Sequence, residues 1–117
     1  MWNVPTQEQL DRIPNLYDSE HIPLRDKTIW LHFFLAGCDW YICEYDGEDL
    51  FFGFAILNGD LINAEWGYVS FSELKAIKVA GWLEYDFDLY WESKPAFEVK
   101  QIRQAHRWVE QGGECYV

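Results

Sequence analysis

Along this chain, stretches with apolar residues at every second position alternate with stretches where they recur every third or fourth. Thr6 followed three residues later by Gln9 suits a capping box, in which each side chain serves the other's backbone amide, and it predicts a short helix through Ile13. Pro14 ends that helix, because proline has no amide donor and clashes with the preceding turn. Residues 15–27, with Pro23 and several charges, are predicted as loop. Strand character begins at Thr28: residues 28–35 are rich in β-branched and aromatic side chains. A turn at Gly37-Cys38-Asp39 leads to a second strand at 40–45, and Asp46-Gly47 is a strong hairpin signal before a third at 50–57. Asn58-Gly59-Asp60 then turns the chain into a fourth strand at 62–69. These connections are too short for parallel crossovers, so the strands form an antiparallel meander.

Ser70 with Glu73 makes a second capping box, opening a helix at 71–78, and Gly81 closes the connection after it. Residues 83–91 carry the clearest period-two signal, with Leu83, Tyr85, Phe87 and Leu89 on one side and Glu84, Asp86 and Asp88 on the other. After Pro95 a helix is predicted at 97–111, with Val99, Ile102, His106 and Val109 as its inner stripe and Gly112-Gly113 as its stop. The expected class is α+β: residues 1–117 form one domain, a four- to five-stranded antiparallel meander with a short N-terminal helix, a short middle helix and a C-terminal helix on one face.

Composition supports a packed interior, since seven Trp, seven Tyr and eight Phe among 117 residues supply large rings that disordered chains lack. The formal charge is −11, and it is concentrated: residues 38–98 hold 13 Asp or Glu against three Lys or Arg, a balance of −10. Such a middle section repels nucleic acid and anionic lipid, so direct nucleic-acid binding is not expected; it attracts a basic surface. No run approaches the ~18–20 apolar residues of a membrane span. Met1-Trp2-Asn3-Val4-Pro5 lacks the basic-then-apolar pattern of a signal peptide, and three cysteines (Cys38, Cys43, Cys115) without a tight pair favour a reduced, cytoplasmic setting.

Chemistry is sparse. Glu84, Asp86 and Asp88 put three carboxylates about 7 Å apart along one strand face, suited to a hard cation or to a solvated surface. Glu44 and Glu65 sit in aromatic-dense strands, as acid–base groups or as buried acceptors tying strands together. His21, His32 and His106 are scattered, and Cys38 and Cys43 lack the spacing of a zinc half-site. Trp40, Trp66 and Tyr68 are candidates for a binding surface. No catalytic set, metal site or cofactor is expected.

In order and content the chain resembles the DUF2958 family, a domain of unknown function. The resemblance rests on Ile13-Pro14-Asn15-Leu16-Tyr17, Phe33-Phe34, Trp40-Tyr41 followed by Glu44, and Leu50-Phe51-Phe52-Gly53. It continues through Glu65-Trp66-Gly67-Tyr68, Ser72-Glu73-Leu74 and Asp86-Phe87-Asp88-Leu89, about two thirds of the chain. The family carries an Arg between the last two acids, where this chain has Phe87. The resemblance implies an accessory protein of phages, plasmids and other mobile elements, acting in the bacterial cytoplasm, and it implies no activity.

Three functions are therefore expected, in descending order. The first is a non-enzymatic acidic module that engages a basic surface of a protein partner, as an anti-restriction or anti-CRISPR factor does when it mimics DNA, through Asp46, Glu48, Asp49, Glu84, Asp86 and Asp88. The second is a small-ligand or nucleotide-sequestering protein using a pocket of Trp40, Glu44, Glu65, Trp66 and Tyr68. The third is a divalent-cation hydrolase built on Glu65, Asp86 and Asp88.

Overall fold

The computed structural model describes residues 1–79, 81 and 83–108. It is an α+β fold centred on a five-stranded antiparallel sheet. The elements run α1 (Gln7–Asp11), β1 (Thr28–Ile29), β2 (Leu31–Leu35), β3 (Cys38–Tyr45), β4 (Leu50–Ile56), β5 (Glu65–Ser70) and α2 (Phe71–Ala76). There follow β6 (Lys78–Val79), β7 (Leu83–Glu84), β8 (Asp86–Phe87), β9 (Lys94–Pro95) and α3 (Lys100–His106). The main sheet has the order β5-β4-β3-β2-β8, so the meander of β2 to β5 gains its fifth strand beside β2.

Local chemistry explains the turns. Leu35 already pairs with Cys38, so the β2–β3 turn is Ala36-Gly37, one residue earlier than the expected Gly37-Cys38-Asp39, whose last two residues belong to β3. Ala36 and Gly37 have positive φ, 42° and 88°, the requirement of the two-residue turn that matches strand twist. After β3, one Asp46 carboxylate oxygen accepts the amides of Glu48, Asp49 and Leu50 at 2.8, 2.8 and 2.9 Å, which shapes a longer hairpin loop than a bare Asp-Gly turn. The Thr6–Gln9 capping box is present in full at α1, and the Ser70 hydroxyl accepts the Glu73 amide at α2.

The sheet is covered on both faces, and here the arrangement differs from helices sharing one side. On the first face Leu31, Phe33, Leu35, Ile42 and Phe51 pack with Leu10 and Ile13 of the N-terminal segment and Phe71 and Leu74 of α2. On the second face Tyr41, Cys43, Phe54 and Ile56 pack with Ile29, Ala96, Val99 and Ile102, so α3 lies opposite α1 and α2. The central strands read as near-continuous apolar runs because both of their faces are buried.

Four expected elements change form. The run at 28–35 divides between β1, which pairs with β9 in a separate sheet, and β2 of the main sheet, and the strand expected at 62–69 is β5, which starts only at Glu65. The alternating run 83–91 does not make one strand: Leu83–Glu84 pairs with β6, and Asp86–Phe87 pairs with β2. Tyr85 and Phe87 are buried as the alternation requires, but Leu89 is 58% exposed. Asp88 causes that exit, because its carboxylate accepts the Tyr90 amide at 3.0 Å and turns the chain away. The last helix begins only at Lys100, after a 3₁₀ turn over Ala96–Glu98. It ends at His106 in a Schellman motif: Arg107 takes φ 56°, its amide donates to the Gln104 carbonyl at 3.2 Å, and the Trp108 amide donates to Arg103 at 3.1 Å. Val109, Gly112-Gly113 and Cys115 lie outside the described residues.

Candidate functional site

The site begins with an irregularity in β3. Ile42 pairs with Gly53 and Glu44 with Phe52, so Cys43 is an extra residue, a β-bulge. Strict alternation would put Glu44 on the first face with Ile42. Cys43 lies in the second cluster as alternation requires, and the bulge then aligns Glu44 with Phe52 of the same side and returns Tyr45 to the first cluster. Gly53 permits this closeness, since a Cβ there would stand 2.1 Å from the Tyr41 carbonyl oxygen.

The 15–27 segment folds over the re-aimed carboxylate. It is pinned at its start by the Tyr45 amide donating to the Pro14 carbonyl at 2.9 Å, and at its end by the Ala96 amide donating to Lys27 at 2.9 Å. Tyr17 sits in the left-handed region at φ 68°, uncommon for a bulky residue, and its amide donates to Glu44 Oε1 at 3.1 Å. The Ser19 amide donates to Glu44 Oε2 at 3.2 Å, and the Ser19 hydroxyl donates to the same oxygen. Lys27 Nζ donates to the Ser19 carbonyl and, at 3.0 Å, to its hydroxyl oxygen, and lies 4.0 Å from Glu44 Oε2. Glu44 and Lys27 are only 4% and 5% exposed. A buried ion pair is tolerated when further hydrogen bonds satisfy the charges, and Ser19 supplies those to both partners.

Above this floor opens a cleft of about 410 Å³, within the size range of small-molecule sites. Tyr17, Phe52 and Tyr68 form its aromatic wall and Ile22, Pro23 and Leu24 its aliphatic wall, while Glu20, Lys27 and Glu44 bring the charges. The Phe52 ring lies 5.0 Å from Tyr68 and 6.0 Å from Trp66. The Tyr68 phenol is pushed up to about 12, chiefly by its hydrogen bond with Tyr17, then by burial and the nearby Glu44 and Glu20 carboxylates. Beyond Phe52, the Trp66 indole donates to His106 Nε2 at 2.9 Å, and His106 stacks on Trp108 at 4.3 Å; burial lowers the His106 pKa.

Of the residues proposed for a pocket, the fold brings together Glu44 and Tyr68, with Trp66 one ring further along. Trp40 packs on the first face, opposite Trp66. Glu65 is exposed, and alternation along β5 directs it away from the Trp66 side. The acids proposed for a partner surface form two groups. Asp46, Glu48 and Asp49 lie at the β3–β4 hairpin, whereas Asp86 is level with Asp39 through Phe34 at the other end of β3, on the order of 20 Å away. Most are engaged internally. Asp49 accepts the Ser72 amide at 2.9 Å and both serine hydroxyls at 70 and 72, and its pKa is lowered, first by Ser70. Glu84 pairs with the Met1 amino group, and Asp86 accepts the Asn3 amide at 2.8 Å. Asp88 and Asp39 flank His32, at 3.1 Å from Nδ1 and 2.7 Å from Nε2 respectively. Glu48 is exposed.

Glu65 on β5 and Asp86 on β8, with Asp88 directly after it, lie at opposite edges of the sheet, four strand spacings or about 19 Å apart, so a shared cation is ruled out for them. Among the described residues, no group of three or more His, Cys, Asp or Glu side chains is placed to hold a metal ion. Phe87, where the resembling family carries Arg, is a core ring 5.7 Å from Phe33. Ser19 and Lys27 had no signal in the sequence, because no periodicity links a loop hydroxyl to the residue entering β1. Tyr17 and Phe52 were visible only as parts of the family resemblance. No family model, curated protein or solved structure matches this chain.

Proposed function

We propose that this protein is a non-enzymatic binding module whose working element is the cleft under the 15–27 segment. The observation that carries the reading is the placement of Glu44: a bulge diverts it from the first-face core onto the floor of an aromatic-walled cavity, and Tyr17 adopts a left-handed backbone to donate to it. Bulges that re-aim a side chain and backbone kept in a sparsely populated region both concentrate at functional sites. Glu44 already takes three hydrogen bonds and faces Lys27, which suits an anchor of fixed geometry better than a group that shuttles protons. Membership of the DUF2958 family belongs to this proposal, supported by the convergence of Tyr17, Glu44, Phe52 and Tyr68, all from the resembling segments, on one cleft.

A second reading, engagement of a protein with a basic surface, is favoured by the −10 balance over residues 38–98. A nucleic-acid-binding defence protein of a bacterial host is the first partner class to try, and a cytoplasmic setting goes with it. Among the described residues, no helix is long and apolar enough to cross a membrane.

The test of the cleft is a fragment library covering anionic, neutral and cationic members, followed by amide and aromatic chemical shifts of the full chain. Binding should perturb Tyr17, Phe52 and Tyr68 together and raise the melting temperature. A library that leaves all three unmoved removes the cleft as a binding site.

A further inference from the structure

We infer that the cleft accepts a cationic group, a guanidinium or ammonium head on an apolar stem, and rejects phosphates and carboxylates. The inference rests on the reading of the cleft as a binding site and adds the charge class of its ligand.

Lys27 is the one cation among the described residues that line the cleft, and it is already committed. Its Nζ donates to the Ser19 carbonyl and hydroxyl and lies 4.0 Å from Glu44, in a side chain 7% exposed. Among the described residues, an entering anion meets no uncommitted cation on the walls, and the exposed Glu20 carboxylate at the rim repels it. A cation meets the reverse. Glu44 Oε1 accepts one hydrogen bond, from the Tyr17 amide, and a carboxylate oxygen has capacity for a second. Tyr17, Phe52 and Tyr68 bring three aromatic rings to the same wall, and aromatic rings attract cations that reach their faces. Ile22, Pro23 and Leu24 suit an alkyl stem. The net charge of −11 adds a field that draws cations in from a distance. A nucleotide matches only the aromatic part of this arrangement, so its phosphate counts against it.

Such a head group has two sources, a free alkylguanidine or amine, or an Arg or Lys side chain of a protein, and one titration separates them. The full chain is titrated at constant ionic strength with butylguanidine, with a capped glycine pentapeptide bearing a central arginine, and with adenosine monophosphate and inorganic phosphate. Shifts at Tyr17, Phe52 and Tyr68 that saturate with either guanidinium probe, and not with the phosphates, support the inference. Saturation by butylguanidine alone assigns a free small cation, and tighter saturation by the peptide assigns a protein side chain. Glu20→Gln, on the exposed rim, should weaken the guanidinium probes by roughly 2- to 5-fold without lowering the melting temperature. Saturation by a phosphate, or guanidinium shifts spread over Glu48 and Asp88 and absent from the cleft rings, overturns the inference. In the first of those outcomes the cleft survives as a binding site of different charge preference. If neutral, anionic and cationic probes all leave the three rings unmoved, the underlying reading fails with it.

Discussion

Gly53→Ala should destabilise the protein far more than a strand Gly→Ala change ordinarily does. The added Cβ would lie 2.1 Å from the Tyr41 carbonyl oxygen, 2.9 Å from its carbon and 3.0 Å from the Ile42 Cα. The first distance is about 1.2 Å inside the ~3.3 Å of close carbon–oxygen contacts. The obstacle is backbone on a central strand, so β3 and β4 must separate next to the bulge. Overpacking of this kind costs about 1–3 kcal/mol, and weakening two ladder hydrogen bonds adds about 1 kcal/mol each, for a total of about 3–5 kcal/mol. At roughly 4 °C per kcal/mol for a chain of this size, the melting temperature should fall by about 12–20 °C. Gly67 directly faces Gly53 across β4–β5 and has nothing within 4 Å of its own added Cβ. Gly67→Ala should therefore be neutral or stabilising by up to about 1 kcal/mol, through the lower entropy of the unfolded chain. Urea and thermal unfolding of the two variants read the difference. If they fall within about 1 kcal/mol of each other, the close approach at Gly53 is not what sustains the bulge. The same displacement moves Glu44, so the ring shifts that report on the cleft should be lost in Gly53→Ala and kept in Gly67→Ala.

Lys27→Met should cost about 3–5 kcal/mol, because it leaves Glu44 buried without its cation and removes one of the two donors to the Ser19 carbonyl, the Ile22 amide being the other. Combined with Glu44→Gln, the loss should be smaller than the sum of the single losses by at least about 1 kcal/mol; additive urea midpoints would show that the two residues are not coupled through Ser19. Below neutral pH, His106 should destabilise the fold. Burial depresses its folded-state pKa beneath the ordinary 6.5, so the unfolded chain takes up the proton first, and the stability present above that value is lost as pH falls through the folded value. Protonation also removes the Nε2 acceptor of the Trp66 indole. Urea midpoints at pH 7.5 and 5.5 should differ more for the native protein than for His106→Gln, and equal pH dependence would sink the assignment.

Much of the framework was written in local residue choice. The capping pair at Thr6 and Gln9, the positive φ of Asn58-Gly59, and the apolar runs of the meander all follow from forces acting within a few residues, and β2 to β5 lie in the predicted runs, although the first run also supplies β1 and β5 begins three residues late. The alternation at 83–91 was also real, but periodicity states which residues share a side and not which neighbour they pair with. The fold divided that run between two sheets, with Asp88 turning the chain out. Which face each helix covers, and the use of Asp49, Asp86 and Asp88 as internal acceptors, were likewise settled by contacts between distant segments. The cleft belongs wholly to that second kind. Residues 17, 19, 27, 44, 52 and 68 meet because one extra residue in β3 reverses the side on which Glu44 emerges, and Gly53 on the next strand makes room for it. A carboxylate's position in a strand can be counted from sequence; the face it reaches past a bulge depends on the register of its partner strand, and register is a property of the packed sheet.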